Sequence, residues 1–402
     1  MEKDIKFEVL KKIANTNFKT RNVQVMSKFE TISPPSVFIG SGLKYPLVNV
    51  GILSPLEKEE EAWMYDDCKY WAKNDFGIKD VVSLRENLLN SRFTSKATDV
   101  RLNNKFIEIA KEVAIAQVPV DVEIELSSRM QVGKQNDKVF TPHGLRAPLK
   151  NAKVVDNVKV PQKLDKVMND EIKASEGIGM LYKNNFDEYS LSKILSVGVL
   201  GMKKAKKLVP TRWSITATDD TIGKGLLKNV REYKWIDDFE LHFGEFMGNC
   251  YLIMMFPGVF SFELFELYLP SSSWNPTNEV KASTDWEGYG GRKGYAFNTA
   301  GGYYATRLPI LEYMEKIKKQ ATVVVIRIEQ ATYWAALGVW VVRETVKKSL
   351  EKDGMKFDSK EEMLSSCKKI GKIKYDYDCS QILNKSKLLT QINTQKNLGE
   401  WF

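Results

Sequence analysis

The sequence predicts an α+β fold, with mixed or antiparallel sheet elements, flanking helices and a disordered C-terminal tail. Three observations carry this expectation. "ATVVVIRIE" is a continuous apolar run rich in β-branched residues, the pattern of a strand buried on both faces. "PVDVEIEL" alternates apolar and acidic residues, as a strand with one wet face does. "YWAALGVWVVRETVKKSLEKDG" repeats apolar residues at helical spacing and stops at Gly354.

The remaining elements follow from punctuation and periodicity. Pro and Gly interrupt "TISPPSVFIGSGLKYPLVNVGILSP" and leave a short strand near residues 47–53. Helical spacing predicts helices over 57–71, 79–90, 103–118 and 163–182. Residues 127–162 read as a long loop, and residues 271–295 as a second one rich in Gly and aromatics. "YSLSKILSVGVLGMKKAKKL" offers Ser190 or Ser192 as a helix cap, then an apolar stripe and a basic run. Strands are expected at "RWSITAT", "FELHFGEF", "NCYLIMMF" and "SFELFELYL", the last three in hairpin-like succession. A helix follows over 303–320, and the end of the chain reads as helical pieces before a polar tail.

Composition narrows the classes. The 402 residues carry 60 Lys and Arg against 51 acids, a net charge of +9, with 43% hydrophobic residues. That is globular composition with a moderate cationic excess, compatible with nucleic acid. The 4 cysteines form no C-x-x-C pair, so reduced thiols in a cytoplasmic protein are expected and zinc is not. The longest apolar stretch, "YLIMMFPGVFSF", is short and broken by Pro257-Gly258, so no membrane span is expected.

Four stretches carry candidate chemistry. The final "QKNLGEWF" places Gln395, Leu398, Trp401 and Phe402 in the order Q-x-x-h-x-x-a-a, with h aliphatic and a aromatic. In a tight helical turn that spacing gathers three apolar side chains into one plug, the pattern of peptides that bind the PCNA sliding clamp. "GMKKAKKLVPTRW" concentrates Lys203, Lys204, Lys206, Lys207 and Arg212, which suit phosphate contacts. The next acids, Asp219 and Asp220, at an expected strand end, could hold Mg²⁺ or Mn²⁺ with a third carboxylate from Glu245, Glu263, Glu266 or Glu329, or could cap the following helix. Finally, "DWEGYGGRKGYAFNTAGGYYATRL" mixes Asp285, Glu287, Arg292, Tyr303, Tyr304 and Arg307 with six glycines, the composition of a groove for unpaired bases or of a structured loop packed on the core. Arg327, Tyr333 and Arg343 could add to the same pocket. Of the two histidines, His143 is expected to line a pocket and His242 to be structural.

"PPSVFIG", "LSVGVLGMKKAKKLVPTRWSITATDDTI", "SFELFELYLP", "DWEGYGGRKGYAFNTAGGYYATRL" and "YWAALGVWVVRE" resemble, in order, the signature blocks of the archaeal Nre family. The resemblance implies a DNA-repair role, recruitment to the clamp by a C-terminal tail, and two family regions. These regions are expected over residues 1–270 and 271–390, with the clamp-binding tail at 391–402. Family members often open on a cysteine-containing, zinc-finger-like segment; here the first cysteine is Cys68. No catalytic residues are carried over by the resemblance.

The sequence therefore points to a nucleoid-associated DNA repair factor that binds DNA and PCNA. Metal-dependent DNA cleavage is its leading expected activity, with Asp219, Asp220, Glu245, Asp285, Glu287, Arg292, Tyr303 and Arg307 as catalytic candidates. A base-directed enzyme, with Tyr303, Tyr304 and Trp334 stacking on an extruded base, is one alternative. A non-catalytic adaptor bound to the clamp is the other.

Overall fold

The computed structural model describes residues 28–128, 131–132 and 143–394. They fall into two compact units: one of residues 28–222 with Ala336–Gly338, the other of Gly223–Ala335 with residues 339–394. Each is built on one seven-stranded mixed sheet, the α+β architecture expected.

The first unit contains β1 (Lys28–Ser33), β2 (Val37–Gly40), β3 (Leu47–Ser54), β4 (Leu89–Lys96), β5 (Val120–Leu126), β6 (Gln131–Val132) and β7 (Leu145–Val154). Their order is β1-β5-β7-β4-β3-β2, with β6 on β7. All neighbours are antiparallel except β4 and β7, whose parallel register sets Asn90 beside Arg146 and Arg92 beside Pro148. β5 alternates buried and half-buried residues, as its sequence requires. β7 lies inside the stretch expected to be loop; its polar, lysine-rich composition hides a strand that pairs on both sides. The helices expected over 57–71 and 79–90 are shorter, a 3₁₀ turn at Glu60–Asp66 and helices at Cys68–Lys73 and Ile78–Glu86, because the chain enters β4 at Leu89. Asp187, rather than Ser190 or Ser192, caps the Glu188–Ser196 helix by accepting the Ser190 N–H.

The largest correction is "RWSITAT". It is not a strand but the start of a 20-residue helix, Thr211–Val230, that begins in the first unit and ends in the second. Pro210 starts it: its carbonyl accepts the Trp213 and Ser214 N–H groups, and its fixed φ suits a helix entrance. A short β-branched run cannot outweigh that entrance and the helix-forming residues beyond it.

The second unit's sheet runs β12 (Lys281–Glu287), β11 (Ser261–Tyr268), β13 (Lys319–Glu329), β10 (Asn249–Pro257), β9 (Phe239–Phe246), β14 (Met355–Phe357), with β8 (Lys234–Trp235) on β13. β9 and β10 form the expected hairpin, but β11 does not continue it. β13 inserts between β10 and β11, antiparallel to the first and parallel to the second. β12 is a strand within the expected second loop. The helix expected over 303–320 is Gly302–Ile317; it ends at Lys318 in the left-handed region (φ 55°) so that β13 can start. The next helix begins only at Trp340 and ends at Glu351.

Both faces of this sheet are covered. On one, Leu252, Met254, Phe265, Ile326 and Ile328 pack with Met363, Cys367 and Tyr375 of the Lys360–Tyr375 helix and with Leu388 and Leu389. The other face lies against the Gly302–Ile317 and Trp340–Glu351 helices.

Candidate functional site

The face of the second sheet under the Gly302–Ile317 helix carries a buried ionic network. Register brings it together: Arg327 of β13 lies beside Glu266 of β11 and Tyr251 of β10, and Glu329 lies beside Tyr268 and Asn249. Arg327 donates to Glu266 at 2.6 Å, to Glu329 at 3.0 Å, and twice to Asn249 Oδ1. The second oxygen of Glu266 accepts the Tyr268 hydroxyl at 2.8 Å. Glu329 also accepts Ser273 Oγ and the Trp274 N–H, tying down the turn after β11. Burial works against the Arg327 charge, but Tyr251 and the two glutamates more than offset it and hold the guanidinium protonated. Burial pushes the Glu329 carboxyl up, against the pull of Arg327. Breaking a buried pair of this kind costs about 3–5 kcal/mol, because it strands the partner charge. Gly302 starts the covering helix directly over Glu266, where a Cβ would collide with the carboxylate. The positive helix end therefore faces an anion.

Next to this network, β12 supplies Asp285 and Glu287. Glu287 is paired with Arg307, both buried. Asp285 accepts from Thr299 N and Oγ1 at 2.9 and 3.0 Å and meets Arg292 at 3.1 Å. Arg292 donates onward to the carbonyls of Trp286 and Tyr295. These residues staple the Gly-rich loop to the sheet edge. Tyr303 is 1% exposed and Tyr304 is buried, its hydroxyl accepting the Ala296 N–H. They cannot stack on a base from those positions. Trp334 is half-buried. The rings that do face solvent are Tyr289, Tyr295 and Phe297, the last 79% exposed. Phe297 meets Tyr295 edge-on at 5.0 Å, Tyr295 stacks on Tyr304 at 5.5 Å, and Arg231 lies over Tyr289 at 4.8 Å. With exposed Lys293, they form a rim of aromatics and cations.

In the first unit, Lys203 and Lys204 sit on an exposed 3₁₀ turn, Lys203–Ala205, and Lys207 is exposed beyond it. Lys206 is turned inward, donating to the Met168 carbonyl at 2.8 Å, and burial together with Lys111 lowers its pKa. Arg212 is exposed on the first turn of its helix, beside Trp213, whose ring meets Tyr45 at 5.2 Å. Asp219 and Asp220 occupy successive helical positions, about 100° apart around the axis. Asp219 is 1% exposed and Asp220 half-buried, so their carboxylates diverge. Among the described residues, no group of three or more His, Cys, Asp or Glu side chains could hold a metal ion. Glu245 is exposed on β9. Glu263 caps another helix: it accepts Ser386 Oγ and the Lys387 and Leu388 N–H groups, fixing the start of Lys387–Thr394. Arg343 and Tyr333 are buried. His242 is buried beneath Gly354 and 3.4 Å from Glu240, a packing role.

Gln395, Leu398, Trp401 and Phe402 lie outside the described residues. The helix just before them, Lys387–Thr394, is anchored through Leu388, Leu389 and Glu263.

Sequence reasoning missed the approach of Arg92 to Arg146, on neighbouring strands beside the half-buried His143. Polar residues inside the strands "NSRFTSK" and "LRAPLK" were the available signal.

Two family models match: "Archaeal Nre, N-terminal" over residues 4–275 and "Archaeal Nre, C-terminal" over residues 287–401. The first match runs through β11 and the second includes β13, so both family regions contribute strands to the second sheet. The chain is 40% identical over 323 residues to the DNA repair protein NreA of Haloferax volcanii, covering 79% of this chain and 77% of that one. It is 36% identical to the DNA repair protein NreA of Archaeoglobus fulgidus over 86% of each chain. Against the DNA repair protein NreB of the same organism, identity is 33% over 83% of this chain and 82% of the relative. No solved structure matches. Among the described residues, no helix is long and apolar enough to cross a membrane. By both family matches and by these relatives, the chain belongs to the archaeal Nre family.

Proposed function

We propose that this chain is a DNA repair factor whose body binds DNA and whose C-terminal peptide attaches it to the PCNA sliding clamp. The observation that carries the reading is that relatives sharing four-fifths of the chain are named DNA repair proteins. DNA contact is supported by exposed Lys203, Lys204, Lys207 and Arg212, and by the Tyr289–Phe297 rim, which offers stacking faces beside cations. Clamp attachment is supported by Gln395, Leu398, Trp401 and Phe402, placed directly after an anchored helix.

Cleavage at Asp219 and Asp220 with Mg²⁺ or Mn²⁺ would need their diverging carboxylates to reorient. The adaptor reading needs no such change. A base-directed reading would have to stack on Phe297 and Tyr295 rather than on Tyr303 and Tyr304.

The test is a mobility-shift titration of the full chain on single-stranded, duplex and forked DNA at two salt concentrations. Lys203→Ala/Lys204→Ala/Lys207→Ala/Arg212→Ala should weaken binding on every substrate and flatten the salt dependence. An unchanged affinity and salt slope would remove this surface from the DNA-binding account. The same substrates incubated with Mg²⁺ or Mn²⁺ decide the activity. Products lost in Asp219→Asn/Asp220→Asn establish a nuclease; bound but intact DNA establishes the adaptor.

A further inference from the structure

Arg92 and Arg146 are brought together by the parallel pairing of β4 and β7, and Asn90 shares their face of the sheet. Neither arginine has a carboxylate partner among the described residues. Arg85, at the neighbouring helix end, is by contrast paired with Asp66 at 2.5 Å, and Lys193 reaches the same carboxylate. Burial, and then the nearby Arg146 charge, lower the pKa of Arg92. Two guanidinium groups held close against their mutual repulsion call for an anion.

The groups around them are arranged to receive one. Asn90 is 3% exposed, and one of its amide atoms is 3.1 Å from His143 Nε2. Arg146 Nε is buried without a hydrogen-bond partner among the described residues, a donor that an anion can take. Asn90 would meet the anion through its amide nitrogen, since its oxygen only accepts. The Asn90 amide lies over Gly51 of β3, where a Cβ would collide with it. The His143 ring rests on Phe38 of β2 at 5.5 Å. Phe38, Gly51, Arg92 and Asn90 thus line one face across β2, β3 and β4, completed by Arg146 of β7.

We propose that Arg92, Arg146 and Asn90 form a binding site for a phosphate monoester. Two uncompensated guanidinium charges match the charge of about −1.5 to −2 that a monoester carries near neutral pH, whereas a backbone diester offers only one. Paired arginine forks supply bidentate donors, and His143, neutral at the base, adds hydrogen bonding without a third charge. The phosphate is either the end of a nucleic-acid strand or the phosphate of a free nucleotide.

The experiment compares the full chain with Arg92→Met, Arg146→Met and the double variant, substitutions that keep the aliphatic stems packed. Fluorescence anisotropy uses one labelled single-stranded oligonucleotide with a 5′-phosphate or a 5′-hydroxyl, competed by a nucleoside 5′-monophosphate or inorganic phosphate at matched ionic strength. Thermal midpoints with phosphate or chloride serve as a second readout that does not depend on DNA binding. The wild type should bind the phosphorylated strand about tenfold tighter, or be stabilised by free phosphate, and each Arg→Met should remove that preference while leaving hydroxyl-strand binding intact. Competition by the mononucleotide assigns a free nucleotide as the source; its failure assigns a strand end. Equal binding of both strands together with equal midpoints in phosphate and chloride, or variants indistinguishable from wild type, would overturn the proposal. Phosphate stabilisation without any DNA binding would instead sink the DNA reading and leave this site standing.

Discussion

Acidification should loosen the first unit at His143. Burial lowers the His143 pKa from 6.5 to about 4, and the Arg85, Arg92 and Arg146 charges push the same way against a hydrogen bond at Gly144. The folded form therefore binds fewer protons than the unfolded form between those two values. Stability from this residue is fully present above about pH 6.5 and is lost as the pH falls toward 4. For a pKa displaced this far, linkage gives a loss of about 2 kcal/mol at pH 5 relative to pH 7.5. That corresponds to roughly a 30-fold rise in the opening equilibrium. The assay is native-state hydrogen exchange of β3, β4 and β7 amides at the two pH values, corrected for intrinsic exchange, in wild type and His143→Gln. Wild type should lose about that much more protection than the variant, which keeps a neutral polar group next to Asn90. Parallel losses in the two proteins would show that His143 is not held neutral, and the cationic surroundings argued for it would be wrong.

Three further outcomes follow. Arg327→Met strands Glu266 and Glu329 in the interior, so it should cost about 3–5 kcal/mol and lower the thermal midpoint by several degrees; an unchanged midpoint would show that the network contributes nothing to folding. Tyr289→Ala/Phe297→Ala removes two exposed rings and should weaken single-stranded DNA binding by at least about fivefold with no change in midpoint. Equal affinity in a calorimetric titration would mean those rings do not contact DNA. Leu398→Ala/Trp401→Ala should leave the midpoint unchanged, because the core anchors Leu388, Leu389 and Glu263 precede these positions. A drop of several degrees would make the tail part of the core.

How much of this was legible in the sequence depended on whether the signal was local. β10 and β13 are central strands buried on both faces, and their unbroken apolar runs announced them. The Thr211–Val230 helix was hidden because its first residues alternate like a strand, while the Pro210 entrance that decides the matter is a single residue. Glu263 and Glu266 both stood out in "SFELFELY", yet three residues apart on a strand they face opposite ways. One caps a helix and the other binds Arg327, and only the insertion of β13 next to β11 determines which. Asp219 and Asp220 looked like a metal pair because they were expected at a strand end leading into a turn; on the helix they sit about 100° apart, one buried and one half-buried. Arg92 and Arg146 left no motif, since their meeting depends on a parallel pairing between strands far apart in sequence.

The clamp is where the account is most directly tested. The full chain should be passed over immobilised sliding clamp, wild type beside Leu398→Ala/Trp401→Ala, with thermal midpoints measured on the same preparations. Burial of three apolar side chains at about 1.5–3 kcal/mol each, less the ordering cost of the peptide, predicts wild-type binding in the micromolar range. The variant should lose this binding while melting with wild type. Undiminished binding by the variant, or no binding by either protein, would contradict it.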